Sequence, residues 1–296
     1  MRSCHQMASP SNVNYFDTLV LAGGSAKGIA TLGALQYTQD CYLLRKLKTF
    51  IGTSSGAMIC YLLVIGYSPV EILTYICTHH IFERMQNFNI VGMLNGNGAS
   101  SFTNIQEQLE KMTLNKIGFL PTLMELHEKF EKTLVCVTHN ASTKKTEYLS
   151  HETHPHLPCL TALRMSANLP LIFEEFRYCG SVYLDGGVSD NFAIDVGDRM
   201  GQNVLGVILT QEDNKSDELA ETNMIEYIYR LMFIPITQHI EHKISQASER
   251  CRVARIEYDR FKFFNFNISA TDKLEMFSSG YQQMREKFEE ETEISV

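Results

Sequence analysis

The stretch FIGTSSGAMICYLLVIG, residues 50–66, places a short apolar strand directly before a glycine-serine turn and an apolar helix directly after it. Gly52 and Gly56 flank Ser54 with the spacing G-x-S-x-G. A serine at this spacing between a strand and a helix is held in a sharp turn that exposes its hydroxyl, as in a nucleophile elbow. The helix start adds free N–H groups and positive partial charge, which favour an oxyanion there. The segment predicts either a nucleophile or a plain tight turn. Its members are Gly52, Thr53, Ser54, Ser55 and Gly56.

The segments around this stretch alternate between strand and helix patterns. Residues 17–24 and 48–52 predict buried strands, and residues 28–40 and 55–67 predict helices. Further strands are predicted at 133–141, 146–152, 181–187 and 203–211. This alternation predicts an α/β fold, a three-layer sandwich with a mostly parallel central sheet. Because no internal repeat and no linker divides the sequence, we expect one domain over residues 1–296.

Composition and charge exclude several classes of protein. The chain is 44% hydrophobic and 20% charged, which is typical of a soluble globular protein. Its longest apolar run, about residues 57–67, is shorter than the roughly 20 residues that span a bilayer, and the first 14 residues lack an apolar signal region. We therefore expect no signal peptide and no transmembrane segment. A net charge of -8 without a basic cluster argues against nucleic-acid binding.

The eight cysteines show no C-x-x-C spacing, and several lie inside apolar runs. This pattern favours free thiols in a reducing environment over disulfides or zinc. We therefore expect a cytoplasmic, intracellular protein.

Two further glycine-containing stretches follow predicted strands. The first, GGSAKG, could turn backbone N–H groups toward a ligand, but it does not match the signatures of phosphate loops. It predicts an oxyanion loop or a glycine-rich turn, and consists of Gly23, Gly24, Ser25, Ala26, Lys27 and Gly28. The second, DGGVSDN, ends an apolar strand at Asp185 and continues with Gly186 and Gly187. A carboxylate in this place could accept a proton, or it could simply form a turn.

In this order, the three stretches closely resemble the patatin-like phospholipase family, with its glycine-rich oxyanion loop, its G-x-S-x-G and its D-G-G. The segment MSANLPLIF, Asn191 and the C-terminal KLEMFSSGYQQM are also similar to the family. The resemblance covers a core of about residues 17–198, with C-terminal helices and a strand at about 199–296 expected to pack on it. The chain departs from the family at Ser25, where glycine is usual, at Ser55, where alanine is usual, and at Ala193, where proline is common.

The resemblance implies a lipid acyl hydrolase with a catalytic dyad. Ser54 would attack an ester carbonyl and Asp185 would take the proton directly. The N–H groups of the oxyanion loop (Gly24, Ser25 and Ala26) would receive the oxyanion, and Lys27 would shape that loop. The implied substrates are phospholipids or other glycerolipids at a membrane or lipid interface. No metal and no organic cofactor is implied, and many relatives need a protein activator.

Several alternatives remain open from the residues alone. A catalytically weak lipid-binding or scaffold protein could retain the fold. His239 or His242 could complete a Ser-Asp-His esterase, because they follow Ser54 and Asp185 in the chain. HETHPH, residues 151–156, could bind zinc or simply form a polar connection. Three apolar stretches, residues 89–94, 230–236 and 261–266, could contact lipid or pack in the core.

Overall fold

The computed structural model describes residues 15–79, 81, 98, 100–210, 224–257 and 268–293. Within these ranges, eight strands form one sheet. They are β1 (Thr18–Leu21), β2 (Thr49–Thr53), β3 (Thr133–Asn140), β4 (Lys145–Leu149), β5 (Phe176–Tyr178), β6 (Ser181–Asp185), β7 (Val204–Thr210) and β8 (Cys251–Glu257).

The strand order is β5-β6-β3-β2-β1-β7-β8, with β4 also paired to β3. Pairing is parallel from β3 through β2, β1 and β7 to β8, and it is antiparallel where β4 and β6 meet β3 and where β5 meets β6. The expectation of a mostly parallel central sheet is confirmed.

The described residues also form nine α-helices. They are α1 (Gly28–Asp40), α2 (Ser55–Val64), α3 (Pro69–Thr78), α4 (Thr103–Ile117), α5 (Leu123–Phe130), α6 (Cys159–Ser166), α7 (Ile194–Met200), α8 (Met224–Gln246) and α9 (Ala270–Glu293).

Apolar layers lie on both faces of the sheet. Leu19 of β1 packs into one buried cluster, whereas the next residue, Val20, packs into another. Successive strand side chains point to opposite faces, so an entirely apolar strand such as β1 needs cover on both sides. This explains the continuous apolar runs in the sequence and confirms the three-layer arrangement.

Local sequence signals fix some helix boundaries. A capping box lies at the start of α3, because Glu71 N–H donates to Ser68 Oγ (3.3 Å) and Ser68 N–H donates to the Glu71 carboxylate (2.7 Å). Such reciprocal bonds satisfy N–H groups that a helix leaves unpaired at its start.

The topology brings the predicted motifs to one edge of the sheet. Of the parallel strands, β1 ends one residue before GGSAKG and β2 ends immediately before Ser54, and the antiparallel strand β6 ends at Asp185. Since β1 and β2 are adjacent and parallel, the segments that leave their carboxyl ends are neighbours.

In the part of the chain that the structure describes, no single helix is both long and apolar enough to cross a membrane. Helices α2 and α3 are long and apolar enough only when they are counted together, and they are bent by 118° relative to each other. Of the three possible lipid-contact stretches, 89–94 and 261–266 lie outside the described residues.

Candidate active site

Ser54 occupies the turn between β2 and α2 in an uncommon backbone conformation. Its φ is 56° and its ψ is -124°, a combination that a non-glycine residue adopts only at a cost. Close packing explains the flanking glycines. A Cβ on Gly56 would lie 2.6 Å from the carbonyl oxygen of Leu21, and one on Gly52 would lie 2.5 Å from the backbone of Ala57. The chain therefore makes the sharp strand-to-helix turn that the sequence predicts.

Three hydrogen bonds fix this turn to the rest of the fold. The N–H of Ser54 donates to Ser166 Oγ (3.0 Å), and Ser166 Oγ donates to the carbonyl of Val137 on β3 (2.6 Å). Thr53 Oγ1 donates to the carbonyl of Asp190 (3.1 Å). The strained turn is thus fixed to β3 and to the segment that follows Asp185.

Asp185 lies at the end of β6 and is almost completely buried, with 1% of its surface exposed. Its Oδ1 accepts a hydrogen bond from the Gly187 N–H (2.7 Å). Among the residues that the structure describes, its Oδ2 has no partner of hydrogen-bond geometry. One carboxylate oxygen is therefore held in place while the other is left to interact with a further group.

Burial raises the pKa of Asp185 from 3.8 to about 7, since a charged carboxylate loses its hydration in this pocket. The Ser54 hydroxyl and the Gly187 N–H favour the charged form and lower the pKa in part. The Ser54 hydroxyl is therefore a neighbour of the Asp185 carboxylate in this pocket. Contacts of this kind commonly tighten when substrate binds.

The predicted oxyanion loop is tied to both other motifs. Gly23 exchanges bonds with Asn191, because Gly23 N–H donates to the Asn191 carbonyl (3.3 Å) and Asn191 Nδ2 donates to the Gly23 carbonyl (3.2 Å). The Gly24 N–H donates to Ser55 Oγ (3.1 Å), so the departure from alanine at position 55 supplies a bond to the loop. Ser25, at φ 52°, takes a left-handed conformation that suits the usual glycine, and Lys27 is buried at the start of α1.

Ser54 and Asp185 line the same small pocket, which we call the Ser54–Asp185 pocket. The glycine-rich loop forms one side of it through Gly23, Gly24 and Ser25. Helix α8 closes another side with Tyr229, Met232, Phe233 and Ile236. The structure therefore gathers side chains from all three predicted motifs around one cavity.

A second cavity of about 130 Å³ adjoins this pocket, and both are lined by Ser25, Ser54 and Leu169. Its other walls are overwhelmingly apolar and come from helices α1 to α4, with side chains that include Ile29, Met58, Ile72, Ile76, Leu109 and Met112. We call it the apolar cavity. Its chemistry suits a hydrocarbon chain attached to a group held at Ser54.

A buried arginine supports Asp185 indirectly, a role that no motif in the sequence indicates. Arg164 Nη1 donates to Asn168 Oδ1 (2.5 Å), and the carbonyl of Asn168 accepts the N–H of Asp185 (2.9 Å). The guanidinium lies over the ring of Phe102 and pairs with Glu174. Burial lowers the pKa of Arg164 to about 10, a value at which it is still charged at neutral pH. The segment MSANLPLIF contains Asn168, but its contacts with β6 depend on the fold.

The competing histidine assignments find no geometric support. His239 and His242 are exposed on α8, and neither is among the described residues that line the Ser54–Asp185 pocket. His151 stacks on the ring of His127 (3.7 Å between centroids). Within the described ranges, no three His, Cys, Asp or Glu side chains are grouped as a metal site.

Comparison with known proteins agrees with this geometry. Residues 19–198 match the sequence model of the family described as patatin-like phospholipase. The chain is 37% identical over 188 residues to "Probable lipid hydrolase 463L" of Invertebrate iridescent virus 6, a match that covers 62% of this chain and 63% of the viral protein. It is 26% identical over 286 residues to "Uncharacterized protein R571" of Acanthamoeba polyphaga mimivirus, which covers 91% of this chain and 92% of that one.

Among solved structures, VipD from Legionella pneumophila superimposes with a TM-score of 0.55 at 16% identity. The superposition covers 93% of this chain and 67% of VipD. At this level of identity the likeness concerns the fold.

Proposed function

Because the chain belongs to the patatin-like phospholipase family, we propose that it is a lipid acyl hydrolase acting on fatty-acyl esters of phospholipids or other glycerolipids. One observation carries the proposal. Ser54, held in a strained turn, shares a pocket with Asp185, a buried carboxylate whose pKa burial raises to about 7. A base with a pKa near the working pH combines a useful fraction of the charged form with a sufficient affinity for a proton.

In the first half of the reaction, Ser54 Oγ attacks the ester carbonyl and its proton passes to Asp185. The tetrahedral intermediate collapses as the C–O bond to the alcohol breaks, and Asp185 returns the proton to the leaving alkoxide. In the second half, water attacks the acyl-serine, Asp185 takes the water proton, and Ser54 regains its proton as the fatty acid leaves.

The oxyanion would be held by backbone N–H groups at the start of α1 and α2. Since Gly24 N–H already donates to Ser55 Oγ, we assign the main role to the N–H groups of Ser25 and Ala26. Gly24 would join them only by leaving Ser55. The positive end of the α2 dipole lies beside Ser54 and favours the same negative charge.

The acyl chain would occupy the apolar cavity, while the alcohol part of the substrate would lie toward α8. This arrangement is consistent with the two cavities, since both are lined by Ser54. The walls of the apolar cavity are almost entirely apolar, whereas the Ser54–Asp185 pocket also contains the Asp185 carboxylate. We also place the protein in a reducing, cytoplasmic environment, because all seven cysteines of the described residues are free.

A set of three variants tests this mechanism on a soluble short-chain ester. We expect Ser54→Ala to abolish hydrolysis and labelling by a fluorophosphonate probe. Asp185→Asn should lower kcat by at least about a hundredfold, because it removes the general base while preserving the shape of the side chain. The double variant His239→Ala with His242→Ala should keep most of the wild-type rate, provided that circular dichroism shows a native fold.

Each alternative predicts a different outcome. A scaffold or lipid-binding protein would hydrolyse no ester and would fail to react with the probe even as wild type. An esterase with a histidine base would lose as much activity in the double histidine variant as in Ser54→Ala. Near-normal turnover by Ser54→Ala would show that the nucleophile is wrongly assigned.

A further inference from the structure

Helix α8 has apolar side chains on two faces in the half that borders the Ser54–Asp185 pocket. One face contributes Tyr229, Phe233 and Ile236 to the pocket. The other exposes Tyr227 (48%), Leu231 (49%) and Ile234 (57%), which are spaced i, i+4 and i+7 and therefore lie in one row. We call these three residues the α8 stripe. A helix of a folded protein normally exposes polar residues on the side away from the core, so this stripe is unusual.

The second half of the same helix follows the ordinary pattern. Beyond Pro235, the exposed side chains are polar, and Ile240 remains buried. They are Thr237, Gln238, His239, Glu241, His242, Ser245 and Gln246. The exposed apolar surface is therefore confined to the turns whose opposite face closes the pocket. A general tendency of α8 to be apolar would not produce this restriction.

We propose that the α8 stripe inserts into the surface of a lipid aggregate, so that the helix closing the Ser54–Asp185 pocket lies at the layer that holds the substrate. The inference rests on the proposed function and adds the place at which the protein meets its lipid. A diacyl lipid would have to expose its chains to water to reach a pocket remote from its bilayer or micelle. Met232 and Phe233 line the pocket on the opposite side of the same helical turns, so the pocket lies one helix away from the stripe.

The stripe contains no charged residue, and the chain has a net charge of -8. Binding of the stripe to lipid is therefore driven by burial of apolar side chains and not by attraction to anionic headgroups. Binding should occur on zwitterionic vesicles and should change little between low and high salt.

The absence of tryptophan from the chain allows a direct test. A single Ile234→Trp substitution in the inactive Ser54→Ala protein would report on the surroundings of the stripe alone. On mixing with phosphatidylcholine vesicles, we expect its emission to shift to shorter wavelength and to be quenched by brominated phosphatidylcholine. The matched control is Leu274→Trp on α9, because Leu274 is equally exposed at 57%. Its emission should not change.

A second measurement uses substitutions that remove the apolar surface. Leu231→Gln with Ile234→Gln should weaken cosedimentation with phosphatidylcholine vesicles by about ten- to a hundredfold, given the area that two half-buried aliphatic side chains would lose. The control pair is Leu114→Gln with Leu274→Gln, whose exposures of 48% and 57% match those of the stripe residues. In the active protein, the ratio of the rate on vesicles to the rate on a soluble ester should fall only in the stripe variant.

Three outcomes would overturn the proposal. They are vesicle binding that the stripe substitutions leave unchanged, equal losses in the control pair, and unshifted emission of the Ile234→Trp protein while it cosediments. A wild-type dimer that the stripe substitutions dissociate, with vesicle binding intact, would assign the stripe to self-association instead. Because binding is measured in the Ser54→Ala background, a failure of the proposed hydrolysis would not affect these results.

Discussion

At the scale of single residues, Asp185 combines two requirements that oppose each other. As the proposed base it must be charged to accept a proton, but its burial favours the neutral form and raises its pKa to about 7. We therefore expect kcat/KM on a soluble ester to rise with pH through about 7 and to level off above it, since only the deprotonated carboxylate acts as the base. A flat profile between pH 5 and about 8 would contradict this assignment.

The stability of the protein gives an independent measure of the same pKa. The pKa of Asp185 is about 7 in the folded protein and has its ordinary value of 3.8 in the unfolded chain. Between pH 3.8 and about 7, the folded protein therefore holds more protons than the unfolded chain. This carboxyl group therefore makes wild-type stability fall as the pH rises through that window. The asparagine of Asp185→Asn does not titrate. The free energy of unfolding of this variant should therefore exceed that of wild type by an amount that grows from near zero at pH 4 to about 4 kcal/mol above pH 7. Urea unfolding at several pH values would measure it.

At the scale of elements, α8 is fastened to the active site by a buried ion-pair cluster. Lys243 Nζ lies 2.7 Å from Asp190 Oδ2 and 2.5 Å from Asp195 Oδ1. Tyr148 donates to the same oxygen of Asp190 (2.8 Å), and the Asp190 carbonyl accepts from Thr53, which precedes Ser54. The position of α8 is thus coupled to the elbow and to the segment that follows Asp185.

We expect Lys243→Met to destabilise the protein by about 3 kcal/mol, because it leaves the buried Asp190 carboxylate without its cation. Chemical denaturation would measure the loss. Arg199→Met is the matched control, since Arg199 pairs with Asp195 at the surface and is 65% exposed. Its removal should cost less than about 1 kcal/mol. Equal effects of the two variants would show that the buried cluster has no special contribution.

The elements also show which features the sequence could predict. The capping box at Ser68 and Glu71 depends on neighbours three residues apart, so its pattern is visible in the chain. The turn at Ser54 is likewise encoded by its own glycines. The bond from Ser54 N–H to Ser166 joins residues 112 positions apart, and it exists only because β2 and β3 are adjacent in the sheet. The same holds for the support that Arg164 gives to Asp185, for which no local pattern exists.

At the scale of the whole molecule, the described strands and helices beyond the family match belong to the same sheet and core as those within it. The match ends at residue 198, but β7 pairs with β1 over the entire length of that strand, and β8 continues the sheet. Helix α9 packs along α1, the helix that follows the glycine-rich loop, with Tyr37 against Tyr281 (5.5 Å between ring centroids). We propose on this basis that the chain folds as a single catalytic domain.

The contact between α1 and α9 allows this proposal to be tested at one position that lines neither cavity. A Cβ on Gly280 would lie 1.9 Å from the carbonyl oxygen of Ala30, so any larger residue must separate the two helices. We expect Gly280→Val to lower the free energy of unfolding by about 3 kcal/mol, measured by urea titration, since overpacking of a close contact costs roughly this much. Ser278→Val is the control, because it places the same side chain on the exposed face of α9. If the chain is one cooperative unit, hydrogen exchange should accelerate in β1 and β2 as much as in α9. Acceleration confined to α9 would show that the C-terminal part unfolds separately from the catalytic core.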